Sequence, residues 1–255
     1  LPFLLFSEIL LGQFPIELDP NDSTEPHMFT AGTDTEFLLT IAASTNTNWS
    51  EANSESATLV VAVDGDWNNY NQDIILYAGE DQHLYYTSLG PILEGKHNLQ
   101  CKFDGEKSSA GAALITIESL ELIDIATIDI DEDAMRHSPI LYGRDLLSWN
   151  ESTHTDIPLI MWHDINMEGS NKRITYSIIL SNEDSRVGVG LADLMYSYGR
   201  TTDIEWMYEV LLSPSGDILN EIFQGASHIT TDFEGNKIGR HPVLKNATLN
   251  CNFTD

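Results

Sequence analysis

Apolar residues in this chain come in short runs and alternations, and no segment carries a long helical period. Leu99, Cys101 and Phe103 alternate with polar neighbours, which is the period of a strand with one buried face. The apolar run at 57–63 ends at an Asp-Gly turn signal and is followed by a second apolar run. The pattern predicts an all-β protein built from short strands at regular spacing.

The length and the charge distribution predict two β-rich domains. The chain has 255 residues, 42% of them hydrophobic, which is enough for two domains with their own cores. We predict an N-terminal β-sandwich of jelly-roll or immunoglobulin-like type at 1–125 and a second β-sandwich-like domain at 138–255. The acidic stretch 126–137 is predicted to be the linker between them.

The linker contains a spacing that is also found in calcium loops. Asp129, Asp131 and Asp133 alternate along it, but the glycine and the distal glutamate of an EF-hand are missing. An acidic linker is therefore favoured over a calcium site. We predict no cofactor, with calcium as the alternative.

Three segments of the first half share a rhythm of strands and turns, namely VAVDGDW, SLGPILEGKH and ITIESLELI. This rhythm resembles that of accessory sandwiches in secreted carbohydrate-active proteins. The resemblance implies a sandwich fold and a carbohydrate partner.

The charge excludes some partners. Lys and Arg number 12 against 40 Asp and Glu, for a formal net charge of -28. A phosphate backbone needs a basic face, so nucleic acid is excluded, and anionic membranes are disfavoured for the same reason. A solvated acidic surface is favoured over a specific cation-binding role.

The apolar segment LPFLLFSEILLGQF is shorter than the roughly 20 residues that span a bilayer, and no basic residue precedes it, so membrane insertion is not predicted. A buried strand suits its interruptions best. It could also be the tail of a signal sequence, or a strand that completes the sheet of a neighbouring subunit in a homo-oligomer.

Cysteines and glycosylation sequons suggest an extracellular location. Cys101 and Cys251 are predicted either to form a single disulfide bridge or to be two buried free thiols. Sequons, which mark candidate glycosylation sites, occur at Asn21, Asn48, Asn150, Asn246 and Asn252.

The stretch 203–210 interleaves two patterns. As a strand it places Ile204, Trp206, Tyr208 and Val210 on one face, and Asp203, Glu205, Met207 and Glu209 on the other. We predict that the aromatic face anchors the strand in a core and holds Asp203 and Glu205 rigidly opposite. Rigidly held carboxylates serve general acid–base catalysis, such as cleavage of a glycosidic bond. The alternative is an exposed strand face in a very acidic protein.

Further polar side chains follow neighbouring strands, and together they predict a polar pocket rimmed by Trp162 and Trp206. The predicted catalytic residues are Arg200, Asp203, Glu205 and His228. The predicted substrate-binding residues are Trp162, His163, Asn182, Glu183, Asp184, Gln224 and His241. Such a mixture of aromatic, amide and carboxylate groups is typical of carbohydrate sites.

Two other chemistries have little support. His228 and His241 have no recognised metal-ligand spacing, so no metal site is predicted. The chain has no Gly-x-Ser-x-Gly motif, and neither cysteine has an electropositive setting. The sequence therefore predicts a secreted protein that binds or cleaves a glycan in its second domain, by hydrolase or lyase chemistry if it is an enzyme. The alternative is a structural subunit of an extracellular filament or coat, assembled through its N-terminal strand.

Overall fold

The computed structural model describes residues 9–10, 13–67, 72–144, 158–181, 191–247 and 252–255. The chain forms two compact units, residues 1–132 and residues 133–255, which we call unit 1 and unit 2. Both are built almost entirely of antiparallel β-sheet, as the alternating pattern predicted. The predicted boundaries of the linker stay a prediction.

Unit 1 is a sandwich of two antiparallel sheets. The first sheet contains β1 (Ile9–Leu10), β2 (Ile16–Leu18), β4 (Thr35–Thr45), β7 (His83–Ile92) and β9 (Ile115–Asp124). The second sheet contains β3 (His27–Ala31), β5 (Ala57–Val63), β6 (Gln72–Leu76) and β8 (Gly95–Phe103). Neighbours along the chain mostly lie in different sheets, so the chain crosses the sandwich repeatedly.

The core of unit 1 follows from the apolar pattern of its strands. All seven residues of β5 are buried, as expected for an apolar run covered on both faces. In β8, Leu99, Cys101 and Phe103 point into the core and their neighbours do not, which confirms the predicted alternation. The predicted Asp64-Gly65 turn forms with both residues at positive φ, the backbone that a tight hairpin turn of this kind requires.

The described part of the N-terminal apolar segment is used inside unit 1. Ile9 pairs with Leu122 and Leu10 with Glu121, so β1 is an edge strand of the chain's own first sheet. Assembly through residues 1–8 lies outside the described residues and stays a prediction.

Unit 2 contains one large and one small sheet. The large sheet is antiparallel and keeps chain order, with β11 (Pro158–Glu168), β12 (Asn171–Leu180), β13 (Asp203–Leu212), β14 (Ile218–Gly225) and β15 (Ile229–Asp232). The small sheet contains β10 (Ile140–Arg144), β16 (Lys237–Ile238), β17 (His241–Asn246) and β18 (Phe253–Thr254), with β10 parallel to β17.

Among the described residues, two short α-helices accompany these strands, α1 (Glu132–Arg136) and α2 (Leu191–Tyr198). The second has eight residues, which make about two helical turns. In the described parts of the chain, neither these helices nor any other is long and apolar enough to cross a membrane.

The large sheet of unit 2 has one buried side and one partly exposed side. Ile174, Tyr176, Ile178 and Leu180 of β12 are buried and pack with Leu244 of β17 and Phe253 of β18. We call this side of the sheet the inner face and the opposite side the outer face. The small sheet and α1 cover the inner face, and the Tyr176 hydroxyl donates to the Ala134 carbonyl at 2.6 Å.

The acidic stretch 126–137 contains short helical elements. Ile125–Thr127 forms a turn of 3-10 helix, and Asp133 lies in α1 with a 2.7 Å salt bridge to Lys172. Across the described residues, no three carboxylate, imidazole or thiol side chains converge as metal ligands. Asp129, Asp131 and Asp133 therefore do not form such a group.

Candidate functional site

A β-bulge sets the direction of the side chains in β13. Tyr208 pairs with Tyr176, but the next residue of β12, Ser177, pairs with Trp206, which leaves Met207 as an extra residue. A bulge of this kind opposes two residues to one and shifts the alternation of faces by one position. The two halves of β13 therefore follow different phases.

The bulge corrects the predicted faces of 203–210. Tyr208 and Val210 lie in the core as predicted, but Ile204 and Trp206 pair with outward residues of β12 and point outward. Asp203 and Glu205 pair with the buried Leu180 and Ile178, so they lie on the inner face. Trp206 therefore does not anchor the core, and the sheet itself separates it from Glu205.

Two tryptophans flank a serine on the outer face. Trp162 of β11 pairs with Ser177 of β12, and Ser177 pairs with Trp206 of β13. Paired residues on adjacent strands point to the same side, so the three form one row across the sheet. The backbones of the two tryptophans are two strand spacings apart, about 10 Å. We call Trp162, Ser177 and Trp206 the tryptophan row.

The tryptophan row lies between an apolar row and a polar row. On one side, Ile160, Ile179 and Ile204 pair across the same three strands. On the other side, Asp164, Thr175 and Glu209 pair in the same way. The Thr175 hydroxyl donates to Glu209 at 2.9 Å, and Glu209 also pairs with Arg173. The outer face thus combines flat aromatic surface with fixed hydrogen-bonding groups.

A second polar cluster forms on the inner side, where β13 begins and β14 ends. Gln224 Nε2 donates to Glu205 Oε2 at 2.5 Å and lies 2.5 Å from His228 Nδ1. His228 Nδ1 is 3.5 Å from the same carboxylate oxygen, and Asn252 Nδ2 lies 3.3 Å from His228 Nδ1. We call Glu205, Gln224, His228 and Asn252 the inner cluster. It unites three residues that the sequence analysis had assigned to one site.

Nδ1 of His228 faces the amide nitrogen of Gln224. An amide nitrogen only donates, so with Gln224 in this orientation the neutral ring accepts at Nδ1 and carries its proton on Nε2. Gln224 is 2% exposed and the Glu205 side chain is 11% exposed, whereas the His228 side chain is 54% exposed. The cluster is therefore a nearly dry carboxylate–amide pair that presents an imidazole to solvent.

The backbone that carries His228 is strained. Ser227 and His228 have φ values of 60° and 59°, a left-handed conformation that non-glycine residues adopt only at a cost. The Ser227 amide donates to Asn252 Oδ1 at 3.0 Å, which ties this turn to β18. Strained turns that are held by surrounding contacts are common at functional sites.

The remaining predicted site residues lie elsewhere. Arg200 stacks on the Tyr198 ring at 5.4 Å and donates to the Thr202 carbonyl. Asp203 is buried and accepts from the Ile204 amide at 2.9 Å. His241 is buried and bonds to the Ser138 carbonyl through Nδ1 at 2.8 Å.

The predicted binding residues near β11 and β12 are also apart from the inner cluster. His163 pairs with Tyr176 on the inner side of the edge strand, and its ring is exposed. Asn182, Glu183 and Asp184 lie outside the described residues. The structure therefore does not bring all the predicted side chains into one pocket.

Sequence reasoning missed Ser177 and Asn252 as site residues. Ser177 stands out only once the register of β11, β12 and β13 is known. Asn252 was noted as a sequon, and its side chain is 1% exposed and bonded inside the inner cluster. Asn246 is also buried, whereas Asn21 and Asn48 are exposed, and Asn150 lies outside the described residues.

The two cysteines differ in what the structure shows. Cys101 is a free thiol in the core of unit 1, and burial raises the pKa of this thiol to about 12. The thiol therefore stays protonated and unreactive at neutral pH. Cys251 lies outside the described residues.

Comparison with known proteins gives only distant likenesses. No protein-family model matches the chain, and no curated protein matches it. Among solved structures, the CBM36-1 domain of a multidomain xylanase from the hindgut metagenome of Trinervitermes trinervoides is 12% identical, with a TM-score of 0.32. The match covers 46% of this chain and 96% of that domain.

Two larger proteins show a similar level of likeness. The insecticidal delta-endotoxin Cry8Ea1 from Bacillus thuringiensis is 15% identical with a TM-score of 0.33, covering 44% of this chain and 19% of the toxin. A cycloisomaltooligosaccharide glucanotransferase from Paenibacillus sp. is 10% identical with a TM-score of 0.31, covering 93% of this chain and 43% of the enzyme. Scores at this level support no functional argument.

Proposed function

We propose that unit 2 binds a neutral glycan on its outer face, across the tryptophan row. The observation that carries the proposal is the register that places Trp162 and Trp206 on either side of Ser177. Indole rings offer flat apolar surface to the apolar face of a sugar ring. The small serine leaves space between the two indoles in which a sugar ring could sit.

The polar row supports the same ligand class. Asp164, Thr175 and Glu209 lie one row away from the tryptophans and offer carboxylate and hydroxyl oxygens to sugar hydroxyls. Thr175 and Glu209 are already bonded to each other, so little side-chain freedom is lost on binding. The net charge of -28 opposes an anionic glycan, which is why the proposal names a neutral one.

A glycan-array screen followed by calorimetry tests the proposal. We expect Trp162→Ala and Trp206→Ala each to weaken binding by at least about tenfold, because buried aromatic contacts dominate such interfaces. Ser177→Leu should also weaken binding, since it fills the space between the indoles without removing either of them. The matched control is Tyr196→Ala, an exposed aromatic residue of α2 in the same unit.

The outcomes separate cleanly. Equal affinity in wild type and both tryptophan variants, with all proteins folded, would overturn the proposal. Loss of binding in Tyr196→Ala as well would place the ligand away from the outer face.

A second candidate function is cleavage of the glycan by acid–base chemistry at the inner cluster. The observation that favours it is the contact of His228 with Glu205 through a shared Gln224. The neutral imidazole presents an Nε2 proton, and a nearby carboxylate stabilises the ring when it is protonated. Such a pair can give a proton to a leaving group and take one back.

Product release from polysaccharides tests this second candidate. Glu205→Gln and His228→Asn should abolish release and leave binding at the tryptophan row unchanged. Glu234→Gln, an exposed carboxylate of the same unit, is the control. Binding without release in the wild type would exclude cleavage of the tested glycans and leave binding as the function.

An extracellular location completes the proposal. Asn21 and Asn48 are exposed on unit 1 and open to glycosylation, whereas Asn252 holds the inner cluster together. We expect peptide mass spectrometry of protein secreted from a eukaryotic host to find glycans at Asn21 or Asn48 and none at Asn252. Modification of Asn252 in folded protein would contradict the cluster geometry.

A further inference from the structure

An exposed aromatic cluster lies where two loops of unit 1 meet. Trp49 lies in the loop after β4, Tyr77 directly follows β6, and His83 begins β7. The Tyr77 and His83 rings are 5.4 Å apart, and the Tyr77 hydroxyl lies 3.2 Å from His83 Nε2. We call Trp49, Tyr77 and His83 the aromatic corner.

The indole of Trp49 is both exposed and fixed. Its Nε1 donates to the Tyr77 carbonyl at 2.8 Å, and the residue is 44% exposed. The only polar atom of the ring is therefore used inside the protein. What the indole offers to a ligand is its apolar aromatic surface, held in one orientation.

The buried Tyr85 side chain beneath the aromatic corner holds it in place. The buried Tyr85 hydroxyl accepts from the backbone amides of Tyr77 and Ala78, both at 3.1 Å. Its ring packs edge-on against Tyr77 at 5.5 Å and against His83 at 5.0 Å. A ligand that binds here would lose little free energy to the ordering of side chains.

A close approach of the two loops adds to this rigidity. The Thr45 amide donates to the Gly79 carbonyl at 2.8 Å. Gly79 has a φ of +67°, and a Cβ atom there would lie 2.7 Å from the Thr47 carbonyl oxygen. Only glycine fits, so the loops that carry Trp49 and Tyr77 are locked together.

We propose that the aromatic corner is a second binding site for a neutral glycan, independent of the tryptophan row. The indole would stack on the apolar face of a sugar ring, and the Tyr77 hydroxyl and His83 imidazole would bond to its hydroxyls. Glu80 and Asp81, exposed on the turn that leads to His83, add acceptors and oppose anionic ligands.

Two sites would make the chain bivalent towards a polymer. A polysaccharide that reaches both sites would be held far more tightly than a short oligosaccharide, because the second contact forms at high effective concentration. The aromatic corner would then contribute most on long chains.

Calorimetric titration of the full chain with neutral hexasaccharides tests this inference. The probes are the hexasaccharides of β-linked glucose, mannose and xylose and of α-linked glucose. We expect a stoichiometry of two in the wild type and of one in Trp49→Ala, with the affinity of the lost site reduced by at least about tenfold. His83→Ala should weaken the same site while leaving the Trp49 indole in place.

Tyr86→Ala, an exposed aromatic residue of β7 outside the corner, is the matched control and should keep a stoichiometry of two. A stoichiometry of one in the wild type that is lost in Trp206→Ala and kept in Trp49→Ala would overturn this inference and leave the proposed function standing. The reverse pattern would keep this inference and overturn the proposed function. No binding of any hexasaccharide would overturn both.

Discussion

The two units differ in how deeply their strands are buried. In unit 1, every residue of β5 is buried because the strand is covered on both faces, and the exposed aromatic corner lies on loops at the sheet ends. In unit 2, all of β15 and most of β11 are exposed, and the tryptophan row lies on the strands themselves. Unit 1 thus offers loops to a ligand and unit 2 offers a sheet face.

The units also differ in their strained residues. The non-glycine residues of unit 1 with positive φ are Asn21, Asn53 and Asp64 among the described positions, residue types that tolerate this conformation. Those of unit 2 are Ser227 and His228, two consecutive positions, of which the serine tolerates this backbone less well. Strain in unit 2 is therefore concentrated at the inner cluster.

The largest expected effect separates a core aromatic residue from a surface one. Phe103→Ala in β8 should cost unit 1 about 3–5 kcal/mol, because the side chain is fully buried. Trp206→Ala should cost unit 2 less, about 1–2 kcal/mol, because its half-buried side chain lies on the outer face. Hydrogen exchange read separately on peptides of each unit measures both values. Similar losses in the two variants would contradict the outward position of Trp206.

Acid should weaken unit 2 through His137. This side chain is fully buried, and burial together with the positive charges of Arg240 and Lys237 lowers its pKa from 6.5 to about 4. The protonated ring is disfavoured in the folded state, so stability is complete above pH 6.5 and is lost as the pH falls towards 4. The loss amounts to about 3 kcal/mol. Urea denaturation at several pH values should show it, and His137→Phe should remove it. An unchanged pH dependence in that variant would refute the assignment.

Unit 1 contains a histidine whose pKa is shifted in the opposite direction. His97 Nδ1 bonds to Asp64 at 2.7 Å and Nε2 to the Leu93 carbonyl at 2.8 Å. The hydrogen bond to Asp64 raises the pKa of His97 above 6.5. The pair therefore stabilises unit 1 below pH 6.5, and this contribution is lost as the pH rises through the raised value. A partly exposed pair is worth up to about 1 kcal/mol. Histidine titration by NMR should show the raised pKa in wild type and a lower one in Asp64→Asn.

The smallest expected effect concerns backbone strain. Ser227→Gly should stabilise unit 2 by about 0.5–1 kcal/mol, because glycine adopts positive φ without steric cost and the backbone bond to Asn252 is kept. Asn53→Gly in unit 1 should change little, since asparagine already tolerates this backbone. Melting temperatures of the two variants decide the point. Destabilisation by Ser227→Gly would show that the serine side chain has its own role.

The alternation of apolar and polar residues was enough to predict the strands of unit 1 and the inward positions of Leu99, Cys101 and Phe103. It failed in β13, because Ile204, Trp206, Tyr208 and Val210 read as a perfect alternation and nothing local marks Met207 as an extra residue. The partner strand imposes the bulge.

The candidate site was predictable only in part, for a related reason. Glu205, Gln224 and His228, which the sequence analysis had assigned to one site, lie together because the start of β13 pairs alongside the end of β14. Asn252 joins them only through the pairing of β18 with β17, which no short-range pattern reveals. The position of Ser177 between two tryptophans likewise depends on the register of three strands.

The bulge at Met207 acts as a frameshift within a single strand. After the bulge, the even-numbered residues Tyr208 and Val210 face the core. Before it, the even-numbered Trp206 faces outward and the odd-numbered Glu205 faces the inner cluster. Deleting Met207 would leave both frames in place, because Trp206 would still face outward when placed directly before Tyr208. Straightening the strand with Met207 kept would instead turn Trp206 inward and Glu205 outward. The bulge that accommodates Met207, rather than the identity of that residue, thus determines which side of the sheet Trp206 and Glu205 face.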